Sequence, residues 1–418
     1  MLNGVINWLY FMNNLKLAFF GFLSGYIYCF LTVTLQAAFT HLGYPVSFIS
    51  TMVFALLPYS FKFLWSGFAD SVDKSSIKFL ISIFIILISF SFFLLILFSD
   101  LYSIVFIIML INLAFLGACF DILTDANLIK NFTDEERSSL LSYYIFGWRI
   151  ASIFAGGAVL FIFNKIFQGS LSHLFVFSSL IFLIFFIVFT VNKLSDFWKF
   201  SRENLFYFLM FLPPISLFFI VKTSLYNLKD SFSVLSDISK LFFYSTFYKL
   251  FDLTLSSFVI IFFIKKFELT LEFFGVVNTI LPLLAVVFCG YAWGRMSSKF
   301  PANYIMLFSL LLKSLTLLFF IYVSFYNEIN KVYLLVLFSL NIVSSSFVTY
   351  SFSNYLMQAV NSARSSFKFS ILTSLSMLLI LVSVPVASYL VDNYNWISFF
   401  TFIFALQVLS YISVFKIK

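Results

Sequence analysis

The sequence predicts an all-α integral membrane protein with twelve transmembrane helices in two six-helix halves. Three observations carry this. Hydrophobic residues make up 62% of the 418 residues and charged residues only 10%, with a mean hydropathy of +1.06. An ordinary globular chain is roughly 45–50% apolar and about 25% charged. Apolar runs long enough to cross a hydrocarbon core of about 30 Å recur twelve times along the chain. Basic residues gather on alternate loops between those runs, the pattern by which loops on the cytoplasmic side are recognised. A soluble core of this length could not hide so much apolar surface, and too few charges remain to coat its outside. A secreted enzyme, a nucleic-acid reader and a cytosolic domain are thereby excluded.

In order, the runs cover 15–36, 46–67, 78–99, 102–126, 140–163, 172–192, 241–264, 273–293, 302–325, 331–357, 367–390 and 395–415. Each reaches or exceeds the roughly 20 residues that a rise of about 1.5 Å per residue requires. Lys74 and Lys78, Lys130 and Arg137, Arg295 and Lys299, and Arg364 and Lys368 follow the even-numbered runs. Opposite loops hold only Lys165, Lys265, Lys266 and Lys331. The formal charge of +8 is therefore a topology signal, with both termini and the central stretch cytoplasmic. This divides the chain into an N-terminal bundle at 1–192, a linker at 193–240 and a C-terminal bundle at 241–418. Within the linker, 205–221 is apolar enough to span. Crossing there would invert the second half, and Pro213–Pro214 breaks the helix, so the segment is read as interfacial or re-entrant. Met1–Asn13 lacks a basic start and a cleavage site and is not expected to be a signal peptide. Most of the 66 Phe are expected to face lipid.

Chemistry is sought in the few ionisable groups inside the runs: Lys62, Asp121, Asp125, Arg149, Lys249, Asp252 and Lys313. A charge near the bilayer centre costs a few kcal/mol unless a partner or a wet cavity receives it. Asp121 and Asp125 share one helix face, and two such carboxylates resist joint ionisation. Two readings stay open: proton coupling, or a static gate in which Arg149 or Lys62 neutralises the pair. Arg149 suits a forked grip on a substrate carboxylate or phosphate, or else neutralises Asp121. Lys249 and Asp252 either neutralise each other or meet substrate. Lys313 is the weakest candidate, since a lysine on an outer helix can snorkel. Gly67, Asp70, Asp73 and Lys74 fall between the second and third runs, where glycine permits close approach and an aspartate caps a helix. Gly21 and Gly25, and Gly290 and Gly294, offer small faces for helix packing. Cys29, Cys119 and Cys289 lie inside apolar runs as buried thiols, and His41 and His173 lack ligand spacing, so no metal, cofactor or disulfide is expected. Without a nucleophile–base pair or a metal cluster, an enzyme is not expected.

The stretch Gly67-Phe-Ala-Asp70-Ser-Val-Asp73-Lys74, between runs two and three of a six-plus-six chain, resembles the loop signature of the major facilitator superfamily. Further stretches resemble its AmpG-type muropeptide permeases. They are Gly21-Phe-Leu-Ser-Gly25, Thr34-Leu-Gln36-Ala37, Phe61-Lys62-Phe63-Leu64-Trp65-Ser66, Asp121 to Ala126, Glu135-Glu136-Arg137, Gly147-x-Arg149 and Gly156-Gly157. Tyr248-Lys249-Leu250-x-Asp252, Gly275-Val-Val-Asn278 and Asn395-Trp396-x-Ser398-x-Phe400 extend the likeness through the second half. The chain departs at Phe120, where the family has Gln, and at Leu128, where it has a basic residue. The resemblance implies proton-driven import of anhydro-muropeptides across a bacterial inner membrane. It implies coupling or gating by Asp121, Asp125 and Asp252, with Arg149, Lys62, Lys249, Gln36 and Asn278 binding substrate. Expected partners are a small sugar-peptide, protons and membrane lipids, without nucleic acid, in a monomer. A same-fold carrier of another sugar, peptide, nucleotide-like metabolite or acyl-CoA is the alternative.

Overall fold

A computed structural model describes residues 2–97, 104–131, 134–191, 207–208, 241–297, 299–326, 328–359 and 365–416. Among them the regular structure is helical throughout, as hydrocarbon demands of a chain that must satisfy its own backbone groups. The first helix, α1, joins Leu2–Cys29 to Leu35–His41 through a π turn at Phe30–Thr34. Next, α2 runs from Val46–Thr51 through a 3₁₀ turn at Met52–Leu56 into Leu57–Phe61 and Phe63–Ser71. Then come α3 (Lys74–Leu97), α4 (Ile104–Asn131) and α5, built from Asp134–Ile153, a π turn at Phe154–Ala158 and Val159–Lys165. The first six close with α6 (Leu171–Val191). The second six are α7 (Leu241–Phe267), α8 (Leu271–Ser297), α9 (Ala302–Ser324), α10 (Lys331–Ala359), α11 (Ser365–Asn393) and α12 (Trp396–Phe415). Eleven of the twelve are long and apolar enough to cross a membrane. The remaining one, α8, has 27 residues with Pro282 inside it, and its described apolar stretch is Leu271–Pro282.

Burial sorts the helices into inner and outer ones. In α1 and α7, 61% of the apolar window is buried, against 22% in α6, so α1 and α7 run through the centre and α6 lies on the lipid side. Exposed Phe90, Leu97, Ile184, Leu284, Leu311 and Leu318 make the outer band. The sequence expectation for Phe needs correction here: among the described residues, buried Phe outnumber exposed ones. Phe262, for example, meets Phe320, Trp396 and Phe400 at 5.0–5.8 Å, in edge-to-face or near edge-to-face geometry that favours the aromatic quadrupoles. Phe is a filler between helices as much as a lipid contact. Packing of α1 on α5 depends on glycine. A Cβ at Gly21 would collide with the Tyr144 carbonyl, and one at Gly147 with the Ala18 carbonyl. Gly147→Leu is therefore expected to destabilise the protein by about 1–3 kcal/mol or more, the usual cost of overpacking. Thermal unfolding in detergent measures it, and an unchanged midpoint would mean that this crossing opens freely.

The two sets of six helices meet along α5–α8, α2–α11 and α1–α7. Their polar bonds gather at the end that carries the turns 42–45, 166–170 and 268–270, here called the turn end. Lys265 Nζ donates to the Tyr44 carbonyl at 2.9 Å, the Ser47 amide donates to Asp392 Oδ2 at 2.9 Å, and Asn164 Nδ2 donates to Glu272 Oε1 at 3.4 Å. Lys165 approaches Glu272 at 3.7 Å, an exposed pair of little energy. Deeper on the same seam, Asn278 Nδ2 donates to the Gly156 carbonyl at 2.6 Å. Glu272→Ala with Asp392→Ala, which remove both acceptors, should loosen this end and raise the alkylation rate of a Ser257→Cys probe severalfold, in a background with the three native cysteines replaced. An unaltered rate would show that the seam is held elsewhere.

The motif between the second and third helices is mostly helical rather than loop. Gly67 and Asp70 fall within Phe63–Ser71, Lys74 begins α3, and only Val72 and Asp73 connect the two. The side chains of Gly67, Asp70 and Lys74 lie outside the described residues, as do the surroundings of Gly290 and Gly294. Of 205–221, only Tyr207 and Phe208 are described. Tyr207 Oη donates to Asp73 Oδ2 at 3.5 Å and Phe208 packs 6.3 Å from Phe84, against the α2–α3 connection.

Candidate functional site

Four of the helices that meet at the seam are irregular where they approach it. The π turns in α1 and α5 are joined by Thr34 Oγ1 donating to the Ala155 carbonyl at 2.7 Å. The helix of α2 is interrupted at Lys62, and that of α7 at Tyr248–Lys249. Irregular backbone is tolerated at membrane depth only where protein or a wet cavity receives it, and π turns concentrate at functional sites. Both interruptions carry a lysine. At these two interruptions, break and charge coincide.

Among the described residues, Asp121 is the most heavily bonded charge of the N-terminal set. Its Oδ2 receives Lys62 Nζ at 2.7 Å, while its Oδ1 receives Ser24 Oγ at 2.8 Å and Tyr144 Oη at 2.9 Å. Donors from α1, α2 and α5 thereby converge on one carboxylate of α4. The ion pair keeps 18% and 17% side-chain exposure for Lys62 and Asp121, so water still reaches it. Of the two neutralising partners open from sequence, Lys62 is the one the structure selects. One turn further on, Asp125 is half-buried, and among the described residues no hydrogen bond or ion pair reaches it.

Arg149 does not neutralise Asp121. Its guanidinium lies 5.7 Å from the Trp148 ring and 5.6 Å from the Tyr350 ring on α10, which brings the two sets of helices together around one cation. Among the described residues no carboxylate pairs with it. Tyr28, 6.1 Å from Trp148, extends the aromatic wall, and its hydroxyl donates to Met377 Sδ on α11 at 3.7 Å.

The sequence reading of Lys249 and Asp252 needs correction. They do not bond to each other. Asp252 Oδ1 pairs with Lys313 Nζ at 2.8 Å and receives Ser345 Oγ at 2.7 Å. Lys313 also donates to Asn341 Oδ1 at 2.8 Å and to Ser345 Oγ. With side-chain exposures of 0% and 4% for Lys313 and Asp252, this pair is shut off from water, and Lys313 does not snorkel at all. Lys249 instead lies 5.8 Å from the Phe352 ring, half-buried and without a carboxylate partner among the described residues. Any mid-span lysine is a signal to look for an acid, but no spacing rule pointed from α9 to Asp252. Ser24, Tyr144 and Ser345 carried no signal of their own.

The two amides expected at the site serve the seam instead. Asn278 holds Gly156, as described above. Gln36 is buried and, with its amide turned to satisfy both ends, donates to Thr32 O at 2.8 Å and Ser257 O of α7 at 3.2 Å. The three cysteines are free and buried, as expected. His173 is exposed and shares a 2.7 Å bond with Ser170.

The comparisons agree with this architecture. A POT family transporter in complex with a thioalcohol conjugated peptide matches with a TM-score of 0.68 at 12% identity, covering 95% of this chain and 94% of that one. The nucleoside transporter NupG matches with a TM-score of 0.60 at 14% identity, over 97% of this chain and 99% of its own. A peptide transporter POT in complex with sulfate gives 0.62 at 14% identity, over 96% and 93%. At such identities the likeness shows the fold alone. No curated protein sequence matches. The family pattern described as Major Facilitator Superfamily covers residues 17–365. The chain belongs to the Major Facilitator Superfamily, as a multi-pass membrane transporter with that family's all-helical fold.

Proposed function

We propose that the protein is a proton-coupled importer of anhydro-muropeptides, working by alternating access in a bacterial inner membrane with both termini cytoplasmic. One observation carries the reading. Among the described residues, Arg149 and Lys249, from opposite sets of helices, are held by aromatic rings rather than by acids. Among the described residues, the ionisable groups singled out in the apolar runs are four cations, Lys62, Arg149, Lys249 and Lys313, against the three carboxylates of Asp121, Asp125 and Asp252. Two cations are used up by Asp121 and Asp252. The remaining two suit an anionic cargo, and the rings beside them suit sugar faces.

The cycle follows from the charges. Cargo entering from the turn end places a carboxylate between Arg149 and Lys249 and draws the two halves, 1–192 and 241–418, together around it. Asp125, one turn from the triply bonded Asp121 and without a donor among the described residues, takes up the proton. Rocking then opens the site at the end opposite the turns, where the proton leaves and the carboxylate follows. The muropeptide assignment adds the AmpG-type stretches to this chemistry. A bare peptide would satisfy the same two cations but leave the aromatic wall unused.

Uptake of radiolabelled anhydro-muropeptide into right-side-out vesicles, acid outside, tests the reading. Accumulation above that of vesicles lacking the protein is expected. Its absence, with a peptide taken up instead, would move the assignment to a peptide carrier. Purified protein offers a second measure, since a true ligand raises the melting temperature with occupancy.

A further inference from the structure

Lys249 opens the second segment of α7, and Asp252 follows it by three residues, so the two share one helix face. Left to themselves they would pair, and Lys249 would be lost as an anion-binding cation. Asp252 is engaged elsewhere. Lys313 reaches it from α9 at 2.8 Å, and Ser345 and Asn341 of α10 complete the donors and acceptors around the pair. This cluster is closed to water, where removing two charges from solvent is costly and an apolar pair of similar volume is commonly as good or better. Stability alone does not account for an ammonium at that position.

The surroundings do. On α10, Asn341, Ser345 and Phe352 fall on one helix face, and Phe352 is the ring against which Lys249 rests. Fixing Asn341 and Ser345 to Lys313 and Asp252 sets the position of that face relative to α7. We propose that Lys313 is a positioning residue of the transport site, sequestering Asp252 so that Lys249 stays free for an anionic group of the cargo. Lys313 itself touches no cargo. The inference rests on the reading of Lys249 as a cargo-binding cation.

The test compares Lys313→Met, Asp252→Asn, the double variant and the wild type, reconstituted in liposomes with an anhydro-muropeptide as probe. Lys313→Met releases Asp252 to capture Lys249, and KM is expected to rise about tenfold with a smaller change in kcat. The double variant removes the captor as well as the guard, and KM is expected to return to within about threefold of wild type. A second readout needs no cargo. Acetylation of Lys249 by acetic anhydride, followed by peptide mass spectrometry, should slow in Lys313→Met and recover in the double variant. If the wild type takes up no muropeptide, the cargo assignment fails and the acetylation rates still decide the role of Lys313. Where Lys313→Met does not reach the membrane, Lys313→Gln, which keeps a donor but no charge, replaces it. Unchanged KM and acetylation in the single variant, or a double variant as impaired as the single one, would overturn the proposal.

Discussion

Arg149→Ala should abolish measurable uptake of anhydro-muropeptide, and Arg149→Lys should recover little of it. The guanidinium lies between Trp148 and Tyr350, rings from different sets of helices, and a lysine ammonium offers neither the plane that stacks on them nor the fork that grips a carboxylate. Losing one partner of a desolvated charge contact costs about 2–5 kcal/mol, a factor of thirty or more in affinity at about 1.4 kcal/mol per decade. Because no carboxylate within the described residues depends on Arg149, its removal should leave the melting temperature close to that of the wild type. Loss of uptake with a large fall in stability would make Arg149 a structural residue instead.

Asp125→Asn should uncouple the carrier rather than inactivate it. An amide mimics the protonated carboxyl permanently, so exchange of labelled for unlabelled cargo continues while accumulation driven by acid outside is lost. Asp121→Asn should behave differently. It leaves a single acceptor oxygen for Lys62, Ser24 and Tyr144, turns an amide NH2 toward one of these donors and deprives a partly buried ammonium of its counter-charge. A fully buried pair broken in this way loses about 3–5 kcal/mol, and the water that reaches this one reduces that figure to about 2. Unfolding measurements separate the two variants. Full gradient-driven accumulation by Asp125→Asn would remove the proton from this residue.

Much of the fold was legible because insertion into lipid is a property of each segment by itself. An apolar run of sufficient length becomes a helix whatever its neighbours, and the lysines that flank it are local too. Gly21 and Gly25 announced a close crossing, and α1 does lie against α5 there. What stayed hidden was local irregularity and pairing. The π turn at Phe30–Thr34 has no composition signal, the Gly156-Gly157 pair within Phe154–Ala158 does not by itself specify one, and the breaks at Lys62 and Tyr248–Lys249 lie within unbroken apolar runs. Gln36 and Asn278, matched by resemblance to substrate binding, serve in this structure to hold the halves together.

The charges show where the boundary lies. Along the chain, the seven ionisable groups singled out fall within the apolar runs, and cations outnumber acids among them. Their pairing comes from how the helices pack: Lys62 goes to Asp121, Lys313 goes to Asp252, and Arg149 and Lys249 are left, among the described residues, with aromatic rings. The reason is physical. Burying a charge is costly wherever it happens, so its presence is informative along the chain. Which partner relieves that cost depends on a few ångströms of helix position, set by side chains more than fifty residues away in sequence.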